Sequence, residues 1–325
     1  MSDATREGSA LVIGEVLVDV VRRPDGTVES HPGGSPANVA IGLGRLGRDV
    51  SLLTSVGKDP HGDMVRAHLE DSSVALVEGS ADAPRTSVAT ATLDGEGAAT
   101  YDFDLAWDID AGAATRTDPV VVHTGSIAAV LAPGGDAVVE ILESVRDRAT
   151  ITYDPNARPA LMGDPGDALA AIERVVALAD VVKASDEDLA WLLTGRPSQG
   201  AGTDAGQADA IGALAREWAT RGPAVVVVTK GGDGATAYLS NGRHVSVDAP
   251  RVEVADTVGA GDSFMSGLID GLWEADLLGS QHRDELRGID EATVTGVLER
   301  CARIGAITVS RAGANPPTRA ELGEA

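Results

Sequence analysis

Lysine is almost missing from this sequence. Among 325 residues it occurs only at Lys58, Lys183 and Lys230, and arginine carries the rest of the positive charge. Acids outnumber bases 50 to 26, a net charge of −24. So negative a chain is a poor partner for nucleic acid or an anionic membrane. Any anion it binds must be held locally, by backbone amides and a few cations. Its one cysteine, Cys301, excludes an internal disulfide and any multi-cysteine metal site. Aromatics make up 3% of residues, so Ala, Val, Leu and Ile must build the core. Residues 1–8 lack the apolar stretch of a secretory signal. Apolar runs such as 224–228 have strand length, far below the ~20 residues of a membrane span. A cytoplasmic protein is the expectation. There is no G-x-x-x-x-G-K-[ST], H-E-x-x-H or G-x-S-x-G. The histidines are scattered; His61 and His68 share a helix without clustered acids and read as surface or core residues.

What is present is a regular alternation. Hydrophobic residues make up 43% of the chain, enough for a large globular core. A buried strand at 10–13 reads on past Gly14 through 15–21, and a returning strand is expected at 27–30. Ser35 suits an N-cap and Pro36 the first helical position, so a helix should run from there to Gly47. Further strands are expected at 49–56, 120–123, 150–153, 181–183 and 224–229. Helices are expected at 62–71, 135–146, 167–179, 187–193, 204–220 and 291–310. Residues 86–93 and 98–103 read as a strand pair, 235–247 as a hairpin and 196–203 as a loop. Such alternation predicts an α/β fold: a doubly wound, mainly parallel sheet flanked by helices. Residues 15–30 and the strand pair are candidates for a small extra β layer. Ligands of such sheets bind beyond the carboxyl ends of the strands. Gly42-Leu43-Gly44-Arg45-Leu46-Gly47 matches the dinucleotide fingerprint G-x-G-x-x-G. It lies at the far end of a helix, not at its start, and so reads as close helix packing with a C-cap at Gly47.

One stretch organises the rest: Asp256-Thr257-Val258-Gly259-Ala260-Gly261-Asp262. Val252 and Val254 read as a short strand leading into it, and Phe264, Leu268 and Leu272 continue at helical spacing. A strand, a glycine turn and a helix N-terminus place unpaired N–H groups and a positive dipole end together. Glycines let that backbone approach an anion. Similar signals stand at other strand ends: Gly33-Gly34 with Asn38, Asp154-Pro155-Asn156-Ala157-Arg158, and Thr229-Lys230-Gly231-Gly232-Asp233-Gly234.

With these motifs the chain resembles the ribokinase-like (PfkB) carbohydrate kinases over about residues 11–318. The D-T-x-G-A-G-D heptad and the distant G-G-x-x-A-N carry the resemblance. It implies one kinase domain over residues 1–325, with a β-sheet lid from about 15–32 and 85–106. It implies ATP-dependent phosphorylation of a sugar hydroxyl, with Asp262 as base. The N–H groups of Gly259, Ala260, Gly261 and Asp262 would stabilise the transferring γ-phosphoryl group. Asp256, Val258 and Gly313 would hold a monovalent cation, K⁺. Asp19, Gly33, Gly34 and Asn38 would meet the sugar. Thr229, Gly231, Gly234, Ser185, Asn156 and Arg158 would lie on the nucleotide side. Asp188 stands where the family has a Glu acting on Mg²⁺ through water, a shorter side chain, and Glu187 is its neighbour. The opening G-E-x-L-x-D and the D-P-N-x-R stretch are most similar to the fructokinase and 2-keto-3-deoxygluconate kinase branch. Where fructokinases often carry an Arg, residues 101–107 are acidic here. Arg85 is a compensating cation. The implied partners are a small sugar and ATP, in a homodimer joined through the lid. Other sugars, nucleosides and a non-catalytic sugar-binding regulator are the alternatives.

Overall fold

The computed structural model describes residues 8–96, 98–196 and 204–324. Residues 197–203 of the expected loop lie outside them. The main sheet contains β1 (Ala10–Ile13), β4 (Val50–Leu53), β5 (Val74–Leu76), β8 (Val121–Gly125), β9 (Thr150–Asp154), β10 (Val181–Ser185), β11 (Val225–Thr229), β12 (Ala235–Leu239) and β13 (His244–Val247). Its order is β13-β12-β11-β10-β9-β8-β1-β4-β5. From β11 to β5 every pairing is parallel; β12 and β13 add an antiparallel edge. The winding reverses between β1 and β8, where Ile13 pairs with Thr124. A crevice for ligands is expected beyond that point.

A second sheet, in order β3-β2-β6-β7, is built from β2 (Leu17–Arg22), β3 (Val28–Gly33), β6 (Ser87–Leu93) and β7 (Ala99–Asp104). The chain does not run on from β1 as one strand. It breaks at Gly14 and Glu15 and enters this sheet instead. Gly14 has no room for a side chain, since a Cβ would fall 2.2 Å from the Pro36 ring. Val18 and Val20 are buried while Asp19 between them is exposed, the period of two of a sheet with one covered face. In register, His31, Asp19, Ala89 and Phe103 form one row across the four strands, on one face.

Both faces of the main sheet are apolar, which explains strands such as Val225-Val226-Val227-Val228. One core holds Leu11, Ile13, Val122, Ile151, Tyr153, Val182 and Val226. The other holds Val12, Val121, Val181 and Val227 together with Phe264, Met265 and Leu268 of the helix Ala260–Glu274. That helix carries the heptad's end, and it packs between the helices Ser35–Arg45 and Glu291–Val309. Contact is close because the facing residues are small: a Cβ on Gly42 would come within 2.3 Å of Ser266 Oγ. A Cβ on Gly44 would meet the Ser72 carbonyl at 2.0 Å, and Gly47, at φ +81°, ends the helix. The G-x-G-x-x-G run is therefore a packing device. Behind the motif helix, fully buried Asp270 pairs with Arg48 at 2.5 Å, Arg300 at 2.6 Å and Arg319 at 2.8 Å. These pairs tie two helices, the loop after the helix Ser35–Arg45 and the C-terminal segment together.

Two expectations fail locally. Residues 251–258 form no strand: Val252 is 43% and Val254 59% exposed, and no sheet edge receives them. The segment is anchored instead by the Ala255 N–H on the Val309 carbonyl at 2.8 Å. Ser35 is not an N-cap. Gly34, at φ +111°, occupies that position, and Ser35 is the first helical residue.

Candidate active site

The heptad turns at Gly259, whose φ of +74° is left-handed, and the helix starts at Ala260. A Cβ on Gly259 would lie 2.5 Å from that of Ala314, so the turn also needs glycine to pass the C-terminal segment. Ala260 N–H reaches the Thr257 carbonyl at 3.3 Å, and Ser263 N–H reaches the Gly259 carbonyl at 2.8 Å. Between them, the N–H groups of Gly261 and Asp262 have no acceptor among the described residues. Of the four amides expected at this turn, only that of Ala260 has an acceptor; the N–H of Gly259 is open as well, so three stand free among the described residues at the positive end of the helix.

Asp262 is 8% exposed and held from both sides. Ser35 Oγ donates to its Oδ1 at 2.7 Å, and Asn38 Nδ2 donates to its Oδ2 at 2.8 Å. Asn38, expected on the substrate, thus orients the acid. Its helical spacing from Ser35 puts both donors on one face. Each carboxylate oxygen keeps a free lone pair for a further proton or hydroxyl.

Beneath the open amides lies a cation that the sequence marked only as one of three lysines. Lys183 is 3% exposed and its Nζ would stand 3.0 Å from a Cβ on Gly261. It pairs with fully buried Asp154 at 2.6 Å. Burial works against the ammonium charge, but Asp154 outweighs it and holds Lys183 above the usual lysine range. The available signal was a lysine in the otherwise apolar strand β10, in a chain with three lysines. Glu15 was missed in the same way. It is 5% exposed, at the carboxyl end of β1.

On the second sheet, Asp19 faces this space from β2. Although the residue as a whole is exposed, its carboxyl lies close over Gly33, and loss of water there pushes it up, against the pull of His31 and Arg158. Gly33 leaves room for it: a Cβ there would sit 2.4 Å from Asp19 Oδ2. A Cβ on Gly34 would come equally close to the Glu15 carbonyl, at 2.6 Å. Arg158 folds over its own loop, donating to Asn156 Oδ1 at 2.8 Å and to the carbonyls of Asn156 and Ala157. Asn156 takes a left-handed φ of +36° there. Arg85 is not free, because it pairs with Asp104 of β7. The acidic stretch is thus partly neutralised from within its own sheet.

The remaining predicted residues fall at strand ends nearby. Gly231 and Gly234, with φ of +52° and +89°, shape the turn after β11, and a Cβ on Gly234 would strike the Val247 carbonyl at 2.0 Å. Thr229 Oγ1 reaches the Ala184 carbonyl at 3.5 Å. Ser185 caps the next helix: its Oγ accepts from Asp188 N–H at 3.0 Å, and Asp188 Oδ2 accepts from Ser185 N–H at 2.9 Å. Asp188 Oδ1 accepts from Ala157 N–H at 2.8 Å. Asp188 is thus a brace between two loops, while Glu187 beside it is exposed. Asp256 Oδ1 accepts from Val258 N–H at 3.0 Å, and Oδ2 from Gly313 N–H at 2.9 Å. These two bonds hold its carboxyl below the usual range. The structure therefore brings Asp256, Val258 and Gly313 together around one ionised carboxylate. What Val258 and Gly313 present to that carboxylate are N–H groups.

A buried carboxylate beside open amides, a buried ammonium and glycine turns at strand ends is an arrangement that suits a phosphoryl group. Residues 8–321 match the family model described as pfkB family carbohydrate kinase. The chain is 34% identical over 272 residues to a fructokinase of Klebsiella pneumoniae, covering 82% of this chain and 84% of that protein. A fructokinase from Xylella fastidiosa, solved with bound ATP, superposes with a TM-score of 0.81 at 24% identity, over 94% of this chain and 93% of that one. A double mutant of the Vibrio cholerae O395 fructokinase, solved with fructose, ADP and potassium ion, gives a TM-score of 0.74 at 26% identity, over 98% and 99%. Family match, fold and site agree, and the chain belongs to the pfkB family of carbohydrate kinases.

Proposed function

We propose that this kinase transfers the γ-phosphoryl group of MgATP to a hydroxyl of fructose. The observation that carries the chemistry is Asp262, held by Ser35 and Asn38 at the open N-terminus of the motif helix. The sugar hydroxyl gives its proton to an Asp262 oxygen as its own oxygen attacks the γ-phosphorus. The bond to the ADP oxygen breaks, and ADP leaves with the electron pair. Charge on the transferring group is met by the N–H groups of Gly261 and Asp262, the helix dipole and Lys183 beneath them. Asp19, over Gly33, accepts hydrogen bonds from sugar hydroxyls. Gly231 and Gly234 let the turn after β11 approach the nucleotide, with Thr229, Ser185, Asn156 and Arg158 around it.

Mg²⁺ arrives with the phosphates and neutralises their charge. Glu187, at the exposed start of its helix, is better disposed to water-mediated contact than Asp188, whose oxygens serve the backbone. K⁺ at Asp256, Val258 and Gly313 would stiffen the turn that carries the open amides. Fructose as acceptor is supported by the Klebsiella relative and by the Vibrio structure with fructose. The Arg85–Asp104 pair counts against 2-keto-3-deoxygluconate, since it withdraws the cation a sugar acid would need. The small sheet acts as a lid, and a homodimer is proposed to join through it. No described helix is long and apolar enough to cross a membrane, and the enzyme is proposed to work in the cytoplasm. A coupled ADP-release screen across ketohexoses, aldohexoses, pentoses, nucleosides and sugar acids tests the assignment. Fructose should give the highest kcat/KM; preference for another acceptor would refute the fructose reading.

A further inference from the structure

The first turn of the motif helix does not rest on apolar side chains alone. Beneath it lies an ion pair closed off from water: Lys183 of β10, 3% exposed, and fully buried Asp154 of β9, 2.6 Å apart. A buried ion pair adds little stability that apolar side chains of similar volume would not supply. Its place in the fold gives it another use. β9 and β10 are parallel neighbours, and the pair stands toward their carboxyl ends, where ligands of such sheets bind. Asp154 is itself fixed. Its other oxygen, Oδ1, accepts from the Asn156 N–H at 3.2 Å. β8 closes on its backbone at Gly125, where a Cβ would fall 2.3 Å from the Asp154 carbonyl oxygen. The ammonium lies so near the motif helix that a Cβ on Gly261 would come within 3.0 Å of Nζ. Among the described residues Asp154 is its only hydrogen-bond acceptor, which leaves its other N–H donors for a ligand. A cation on a flexible four-carbon stem is thus held at one point, next to an open amide.

We propose that Asp154 is a positioning residue of the phosphoryl transfer, which holds the Lys183 ammonium in place and charged beneath the open end of the motif helix. The inference rests on the proposed role of Lys183 toward the transferring group. A preorganised cation lowers the barrier because it need not move or shed water as charge develops. Asp154 supplies both conditions, the place through its 2.6 Å contact and the charge through its own. Burial pushes the Asp154 carboxyl up to about 6 against the pull of Lys183, so the pair is ionic at neutral pH. Other elements also face the ammonium. Asp188, on the helix after β10, and Asp262, on the motif helix, attract it, but only Asp154 is in contact. His123 of β8 bonds Thr152 Oγ1 at 3.0 Å and is kept neutral by burial and by the ammonium. Without Asp154, burial lowers a lysine that the pair holds above its usual range.

The test is kcat/KM for MgATP, at saturating levels of the acceptor that the ADP-release screen ranks first. It compares wild type, Asp154→Asn, Lys183→Met and the double variant. Each single change should cost about 100-fold. The double variant should be no slower than Lys183→Met, since Asp154 acts only through that ammonium. kcat/KM reports the free enzyme, and above about pH 7 the wild type should be level. Asp154→Asn should lose further activity there as its unpaired lysine gives up its proton. Lys183→Met and the double variant should not show that loss. A distorted strand end would slow Asp154→Asn equally at every pH, and that result overturns the inference. So does Asp154→Asn within about threefold of wild type, or a double variant slowed by the product of the single effects. Where Asp154→Asn does not fold, Asp154→Glu decides. It keeps both charges and displaces the ammonium by a methylene, so it should melt like the wild type and run about tenfold slower. Wild-type rates there refute the inference. Lys183→Met at wild-type rates sinks the proposed role of the lysine and the inference with it. A slow Lys183→Met beside an undisturbed Asp154→Asn sinks only Asp154.

Discussion

Replacing Ser35 by alanine separates two roles that one sequence position suggested. As an N-cap, Ser35 would stabilise its helix and nothing else. In the structure its hydroxyl is buried, 6% exposed, and donates at 2.7 Å to Asp262. A hydrogen bond to a charged group contributes roughly 1.5–3 kcal/mol. Here the loss is shared between folding and orientation, because Asn38 still holds the other oxygen at 2.8 Å. A carboxylate held at one oxygen swings about that contact, and small misplacements are expensive in phosphoryl transfer. Ser35→Ala should lower kcat by about 10- to 100-fold, corresponding to about 1.4–2.7 kcal/mol. The KM for ATP should hold, since Ser35 faces the acceptor side. Thermal unfolding should fall by only a few degrees, roughly 2–4 °C per kcal/mol in a chain of this size. Steady-state kinetics with melting on one preparation gives both numbers. If Ser35→Ala melts early but turns over within twofold of wild type, the hydroxyl is a structural cap and the Asp262 geometry has been misread.

Three further outcomes follow from other parts of the structure. Asp270→Asn removes a fully buried carboxylate shared by Arg48, Arg300 and Arg319, and urea unfolding should show a loss of about 3–5 kcal/mol. A loss below 1 kcal/mol would mean that the guanidinium groups find water instead. Gly33→Ala places a Cβ 2.4 Å from Asp19 Oδ2, so the KM for sugar should rise at least tenfold while the KM for ATP stays level. Equal effects on both would show a general distortion. Burial raises the Glu15 carboxyl, which predicts a stability profile. With its folded value about 7 and its unfolded value 4.5, the native state binds the extra proton between them. Stability from this group is therefore present below about 4.5 and is lost as pH rises to about 7, roughly 3 kcal/mol in all. Chemical denaturation should show Glu15→Gln gaining on the wild type across that window, and a parallel pair of curves would contradict it.

Much of this was legible in the chain because local and global signals agree. The strand–helix alternation, the glycine turn at Gly259 and the separation of Gly33-Gly34 from the heptad each reflect a backbone requirement that no other residue satisfies. What was misread depends on partners remote in sequence. Val252 and Val254 alternate like a strand, but no strand lies beside them, and alternation cannot reveal a missing neighbour. Ser35 has the chemistry of a cap, and only the arrival of Asp262 shows what its hydroxyl meets. The bond from Asn38 to the same acid is hidden for the same reason. Lys183 and Glu15 sit in apolar runs whose patterning is that of buried strands. A charge inside such a run was the available clue, because buried charges are kept only where something offsets or uses them. β5, at three residues, carries too little pattern to be read from sequence.

The central claim is that Asp262 takes the proton of a sugar hydroxyl as the phosphoryl group transfers. Fructose-dependent ADP release by wild type and Asp262→Asn, with ATP affinity measured on the same two proteins, tests it most directly. Removal of a general base should lower kcat by about 10²–10⁴-fold and leave ATP binding within a few fold. Turnover by Asp262→Asn within tenfold of wild type would contradict the claim.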